Sequence, residues 1–410
     1  MPTSMDAIWK TWPEIHHLCQ SKRIILFGCA LDWVARTVAR LPHEPDFMVD
    51  SNPSYDGTTF QGLEVRHADT LKKEPAEEIY VVITGSVYES IAPQLQGYGF
   101  TPGRHFCATP EFSDIRLLRE MREYDRSVLM ASPDYDDPLS KRHSQAGGGL
   151  FVYDVGSHDL RKVVPGHFRQ LLKRGDLIYA VEFVEMQLYV LTGDFDVADK
   201  FPLGKPNTCG LEYCPKRNVL FLADASRDVI TVHDPETFKV LDEVAFSDKY
   251  RRMGSGQHHI NDLCVVEDSL YVSYFSLSGN WKRGIYDGGI SEYDIDDLSK
   301  PPSVFVSDLW MPHSVKFLDG SLCWLDSMRG RFYTNNQTLG GEFPGFVRGL
   351  AYDGRFYYIG QSEDMYLSRL SGITKNRMMN AGFYMFDMET KASRFHSFMD
   401  NMNIHDLMIL

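Results

Sequence analysis

Five stretches of this chain repeat one plan: a strand, a tight turn and a second strand. They are GHFRQLLKRGDLIYAVE, TCGLEYCPKRNVLFLADAS, HINDLCVVEDSLYVSYFS, MPHSVKFLDGSLCWLDSM and GFVRGLAYDGRFYYIGQ. Most run on into a third strand that ends near an aromatic–Asp pair, as in ITVHD, ISEYD and FYMFD, and a fourth, poorer strand follows. Antiparallel four-stranded units of about 40 residues are propeller blades, which bury their faces only by stacking side by side around an axis. Complete units begin near residues 167, 208, 259, 312 and 346. A sixth has its second and third strands in RSVLMAS and GGGLFVYD and its fourth in DLRKVV, but lacks a first strand. The segment NIHDLMIL supplies it, because Leu407 to Leu410 are apolar, as an innermost strand should be. Pairing it with residues 126–154 closes the ring and removes the edge an open array would expose.

Residues 24 to about 110 have a different texture. RIILFG, DFMVD and EIYVVITG read as short buried strands, and LDWVARTVARL and SVYESIAPQLQGYGF as helices between or after them. That alternation indicates a parallel sheet. Ser86 and Glu89 have the spacing of a capping box at the start of the last helix. The expected organisation is therefore α/β followed by all-β: a small parallel-sheet domain over 1–110, a charged connecting helix over 111–125 and a six-bladed β-propeller over 126–410.

Composition narrows the function classes. A net charge of -14 repels phosphate backbones and argues against nucleic-acid partners or anionic membranes. The seven cysteines show no CxxC spacing and are odd in number, so they read as reduced and mostly buried. No stretch approaches eighteen apolar residues, and the first residues lack the basic start and apolar run of a signal peptide, so a cytoplasmic protein is expected.

The first domain carries a worn dinucleotide motif. After its first strand the chain reads GCALDW, keeping Gly28 but placing Ala30 and Trp33 where two more glycines are expected. Asp50 ends the second strand, where a ribose hydroxyl is usually bound. The run VDSNPSYDGTTFQG resembles the Rossmann-like domains of bacterial sugar-modifying and polysaccharide enzymes over residues 22–108. The resemblance implies a nucleotide or nucleotide-sugar cofactor near Gly28, Asp50 and the turn at Thr84, Gly85 and Ser86. The competing expectation is a domain kept for packing or oligomerisation, with Ser86 merely a helix cap.

In the propeller, aligning the innermost strands on their shared Leu gives one equivalent position per blade: Arg169, Cys209, Asn261, His313, Arg348 and His405. Asp262 and Asp406 lie one residue further on. Two arginines in one layer suit a carboxylate or phosphate, which guanidinium binds with two prongs. The alternative is that each pairs with an aspartate of a neighbouring blade. Three long connections, residues 132–149, 276–289 and 362–382, would bring Arg142, His143, Trp281, Lys282, Arg283 and Arg377 over the same mouth. The layout is similar to that of the gluconolactonase and strictosidine-synthase-like propellers, and to an uncharacterised bacterial group of such propellers. The lactonase resemblance implies a divalent metal held by carboxylates and asparagines, but this ring has no carboxylate in its layer. His313 and His405, with His259 or an aspartate, are the side chains that could hold a transition metal instead.

These features predict a bacterial biosynthetic enzyme acting on an anionic, sugar-like small molecule in the channel, as in carbohydrate or polysaccharide metabolism. His313 and His405 would be its acid–base residues, and Arg169, Arg348, Asn261, His259, Asp262, Asp406, Trp281 and Arg283 would bind substrate. Two other classes stay open: a non-catalytic glycan- or protein-binding scaffold, and a metal-dependent lactonase or hydrolase. Homo-oligomerisation is compatible with each.

Overall fold

The computed structural model describes residues 6–204, 207–363, 366–369, 376–398, 400 and 402–410. The chain divides into two compact units, Met1–Arg122 and Glu123–Leu410.

In the first unit, α1 (Trp12–Cys19) precedes β1 (Arg23–Phe27), α2 (Leu31–Val38), β2 (Phe47–Asp50), the hairpin β3 (Thr59–Phe60) and β4 (Leu63–His67), β5 (Ile79–Ile83), α3 (Tyr88–Gly97), β6 (Phe106–Ala108) and α4 (Ser113–Glu123). The six strands lie in the order β3-β4-β2-β1-β5-β6. Five run parallel, and β3 is antiparallel to β4, so the sheet is mixed rather than purely parallel. The central strands read as continuous apolar runs because both faces are covered: all five residues of β5 are buried. The sequence pattern does not show α1, β3, β4 or β6. The start of α1 was nonetheless written in TWPE, where Thr11 and Glu14 form a reciprocal capping box with Pro13 in the first turn. The capping box expected at Ser86 does not form. Val87 holds the cap position of α3 without a side-chain bond, and Glu89 is drawn into an ion pair with Arg119.

The second unit is a six-bladed propeller of four-stranded antiparallel sheets. Innermost strands are Phe168–Arg174, Thr208–Cys214, Ile260–Val266, Pro312–Leu318 and Phe346–Tyr352 in blades two to six. In blade one the innermost strand is Asp406–Ile409, paired with Ser127–Ser132 in the register Asp406↔Ala131 to Ile409↔Val128. Burial falls along each blade from the axis outward. In blade three, Val219–Asp224 is wholly buried while the outer strand Val240–Ala245 is almost wholly exposed. Aromatic and aliphatic side chains of adjoining blades fill the space between them, as Phe221 and Val232 do with Ile260, Leu270 and Tyr274. The closing strand is less buried than its composition suggests. Leu407 is fully enclosed, but Met408 and Ile409 are half-buried and Leu410 is 42% exposed, because this end of the strand reaches the channel mouth.

One irregularity recurs. In blades two to six the pairing of the first two strands slips at the same place, between Phe168 and Leu171, Thr208 and Gly210, Ile260 and Leu263, His313 and Lys316, and Val347 and Leu350. A bulge re-aims the side chains beside it. Here it lets Gln170 and Asp262 line the channel directly after Arg169 and Asn261.

Candidate functional site

All six aligned positions line one cavity of about 230 Å³, together with Arg142, His259 and Trp281. Asn207, His259, Met311 and Phe346 also line it, and each sits two residues before the aligned position of its blade. Alternation along a strand returns the chain to the same face every second residue, so this set was available from spacing. Phe275 and Tyr366 come from the ends of second strands and the loops beyond them, which no such alignment reaches.

Arg169 and Arg348 are 6% and 4% exposed, and neither pairs with a carboxylate among the described residues. The Nη1 of Arg169 donates to Asn207 Oδ1 at 2.5 Å, and its guanidinium lies 3.8 Å from the Phe183 ring centre. The Nε of Arg348 donates to the Ile404 carbonyl at 2.6 Å and to Ser362 Oγ at 3.1 Å. Arg348 feels the Asp134 carboxylate, but that group accepts from the Asn403 backbone N–H and Nδ2 at 2.6 and 2.9 Å. Burial pushes Arg348 down to about 9, which still leaves it charged at neutral pH. A buried cation without a counter-ion is costly, and a bound anion removes that cost.

The imidazoles supply neutral polar contacts. His313 Nδ1 lies 2.9 Å from the Met311 carbonyl, which can only accept, and 2.8 Å from Ser327 Oγ, which can donate or accept. The His405 ring meets it edge-on, with centres 6.1 Å apart. Burial, and after it the charge of Arg348, hold both well below the usual imidazole range. His259 is pushed down to about 3 by burial and by Arg169, and packs between Phe275 and Trp281 at 4.2 and 4.7 Å. Five buried polar atoms on these lining residues have no hydrogen-bond partner among the described residues: Arg169 Nε, both amide atoms of Asn261, His405 Nδ1 and Trp281 Nε1. Buried polar groups are otherwise nearly always paired, so this concentration marks a place where a ligand supplies the partners.

Two carboxylates expected here are elsewhere. Asp262 and Asp406 do not line the basic cavity: in blade four the bulge turns Asp262 toward the next layer along the axis, and in blade one Asp406 stands in regular pairing with Ala131. There Asp262 Oδ1 accepts from Gln170 Nε2 at 2.6 Å. Asp406 takes the Lys316 ammonium at 2.6 Å and the Leu171 N–H at 3.0 Å. Arg283 is also outside, exposed on the short helical turn Trp281–Arg283 that sends Trp281 inward. Lys282 donates to Ser255 Oγ at 2.8 Å, and His143 and Arg377 are not among the lining residues. The third long connection falls partly outside the described residues. Among the described residues, no three His, Cys, Asp or Glu side chains come together as metal ligands would. A divalent cation also fits poorly beside Arg142, Arg169 and Arg348 with no carboxylate lining the cavity.

The residues singled out in the first unit bond to one another. Asp50 accepts from the Cys29 N–H at 2.9 Å and the Asn52 N–H at 2.8 Å, so the first amide of the turn is already used. Thr84 is buried and donates to the Gly28 carbonyl at 2.7 Å. Gly28 (φ +107°) and Gly85 are in backbone-to-backbone contact. The Ser86 carbonyl accepts from Arg119 at 3.0 Å.

A family model described as a domain of unknown function (DUF4915) matches residues 211–408, within the propeller. No curated protein matches the chain. Several solved structures are similar over part of the chain. One, described as a nidogen/laminin complex, is 11% identical over 70% of this chain and 98% of its own, with a TM-score of 0.47. A protein of unknown function from Bacteroides caccae is 12% identical over 70% and 99%, with a TM-score of 0.45. Regucalcin, a calcium-binding protein from Agrobacterium tumefaciens, is 11% identical over 55% and 72%, with a TM-score of 0.40. At such identities the likeness is one of fold and carries no functional argument. Among the described residues, no helix is long and apolar enough to cross a membrane.

Proposed function

We propose that the propeller binds a small anionic, hydroxyl-bearing metabolite of the sugar-acid or sugar-phosphate class in the basic cavity and exchanges protons with it. The observation that carries this reading is the pair of buried arginines without carboxylate partners among the described residues, in a lining that leaves five polar atoms, Arg169 Nε included, unpartnered there. The guanidinium groups would take the carboxylate or phosphate, Asn261 and His405 the hydroxyls, and Trp281 the face of the carbon skeleton. At about 230 Å³ the cavity suits a metabolite rather than a nucleotide or an oligosaccharide. His313 and His405 are the acid–base candidates. An anion beside them would raise their affinity for protons toward the range where imidazole works as a base.

The test is calorimetry with gluconate, 6-phosphogluconate and inorganic phosphate, followed by product analysis with any compound that binds. Binding that disappears in Arg169→Ala and Arg348→Ala variants of unchanged melting temperature supports the reading. Loss of stability with binding intact in the folded fraction refutes it. The depressed imidazoles and the Cys209 thiol, which burial pushes up, favour a second reading, a binding protein without turnover. Binding without any product after prolonged incubation would select that reading.

A further inference from the structure

The basic cavity is lopsided in charge. Blade one stands between blades six and two, its innermost strand packed against theirs. Arg348 comes from blade six, Arg169 from blade two, and Arg142 from the connection between the second and third strands of blade one, so all three guanidiniums belong to one side of the ring. The opposite side, blades three to five, contributes Cys209, His259, Asn261, Phe275, Trp281 and His313, none of them charged at neutral pH.

Arg142 is held in place by its backbone. The Tyr135 N–H donates to the Arg142 carbonyl at 2.8 Å, and the Ser144 N–H donates to the Tyr135 carbonyl at 3.0 Å. The Tyr135 ring packs on His167, and the Asp400 carboxylate accepts from the Gln145 and Ala146 N–H groups at 2.7 and 2.5 Å. The half-buried Arg142 side chain forms no ion pair among the described residues. Its charge reaches the other two: burial and then Arg142 lower Arg348, and the same two lower Arg169. Behind the lining, Asp134 offsets part of this charge; burial pushes it up to about 6, so it is mostly ionised at pH 7. Asp406 is taken by Lys316 at 2.6 Å. Asp262, from the opposite blade, accepts from Gln170 and is pushed by burial up to about 7, which leaves it about half protonated at neutral pH. The blade-one side therefore keeps an excess of more than one positive charge, which a single carboxylate would not balance.

We infer that the anion bound here is a phosphate monoester, its head gripped by Arg142, Arg169 and Arg348 on the blade-one side and its uncharged remainder turned toward Asn261 and Trp281. A phosphate monoester carries close to two charges at pH 7 on three acceptor oxygens, enough to meet three guanidinium forks at one pole. A dicarboxylate has the same charge but spreads it along a carbon skeleton, toward a wall that offers no cation. Given a cavity that binds anions, as proposed above, Arg142 is then the residue that separates phosphate from carboxylate.

The experiment is calorimetry at pH 7 on the whole chain with glycerol 3-phosphate, the matching sulfate ester, which has the same shape and one charge, and glycerate. The phosphate should bind about tenfold or more tighter than either monoanion. Arg142→Gln leaves the backbone bonds of its loop in place, so the melting temperature should hold. It should weaken the phosphate by about tenfold or more and the two monoanions much less, so that the preference collapses. Equal binding of the three anions by the parent, or an equal loss for all three in the variant, overturns the inference while the anion site stands. Binding of none of them by the parent removes both.

Discussion

At the scale of residues, the basic cavity holds buried arginines without carboxylate partners among the described residues, and Arg348 gives a direct test. Losing the two-pronged contact of Arg348 should cost anion affinity about tenfold or more. Arg348→Lys should not restore it, because an ammonium is a point donor and cannot span two oxygens. Titration of the variant against the anion found to bind checks this. Glu212 gives a pH-dependent prediction. Its folded-state affinity for protons is raised, to about 7 against an ordinary value of 4.5. Between those values the folded chain holds a proton that the unfolded chain has released. Stability therefore falls as pH rises from about 4.5 to 7, and above 7 the cost is complete. Glu212→Gln removes that term, so it should gain on the parent by up to about 2 kcal/mol at pH 8 and by little at pH 5. Denaturant melts at the two pH values measure the difference.

At the scale of elements, what matters is where a strand may not be altered. The closing strand Asp406–Ile409 completes blade one through its pairing with Ser127–Ser132. Deleting Leu407 to Leu410 exposes that edge and removes one fully buried and two half-buried side chains, a loss of about 4 kcal/mol or more. The shortened chain should aggregate or melt far lower, as circular dichroism would show. In the first unit, Gly28 carries the tightest constraint. A Cβ there would lie 2.5 Å from Gly85 Cα and N, with φ at +107°. Neither obstacle is a side chain that can swing aside. Gly28→Ala should therefore cost about 2 kcal/mol or more, seen as a lower melting temperature, whether or not a nucleotide is present. These contacts give a reason for glycine at this position that needs no nucleotide: it lets two loops touch.

At the scale of the whole molecule, every blade and every residue of the basic cavity comes from Glu123–Leu410. A chain of residues 123–410 should therefore fold and keep the anion affinity of the full protein, which calorimetry on the two can compare. The sequence by itself determined the ring. Each blade repeats a strand, turn and strand whose apolar alternation has a period of two, and NIHDLMIL matches only the vacancy in the sixth unit. It also placed Arg169, Cys209, Asn261, His313, Arg348 and His405 in one layer, because one turn of chain per blade puts equivalent residues at equivalent heights. Only the tertiary structure decided which neighbours join them. A bulge in the innermost strand of blades two to six breaks the period of two, so Asp262 faces a different part of the channel from Asn261, one residue earlier. Bulges depend on pairing with a second strand and leave no local signature in composition. Nor does one residue's charge reveal its partner: whether Arg348 meets an aspartate or lines a cavity without one is set by the other segments of chain around it. Burial then decides the charge state, since the same His and Glu side chains would titrate ordinarily in water.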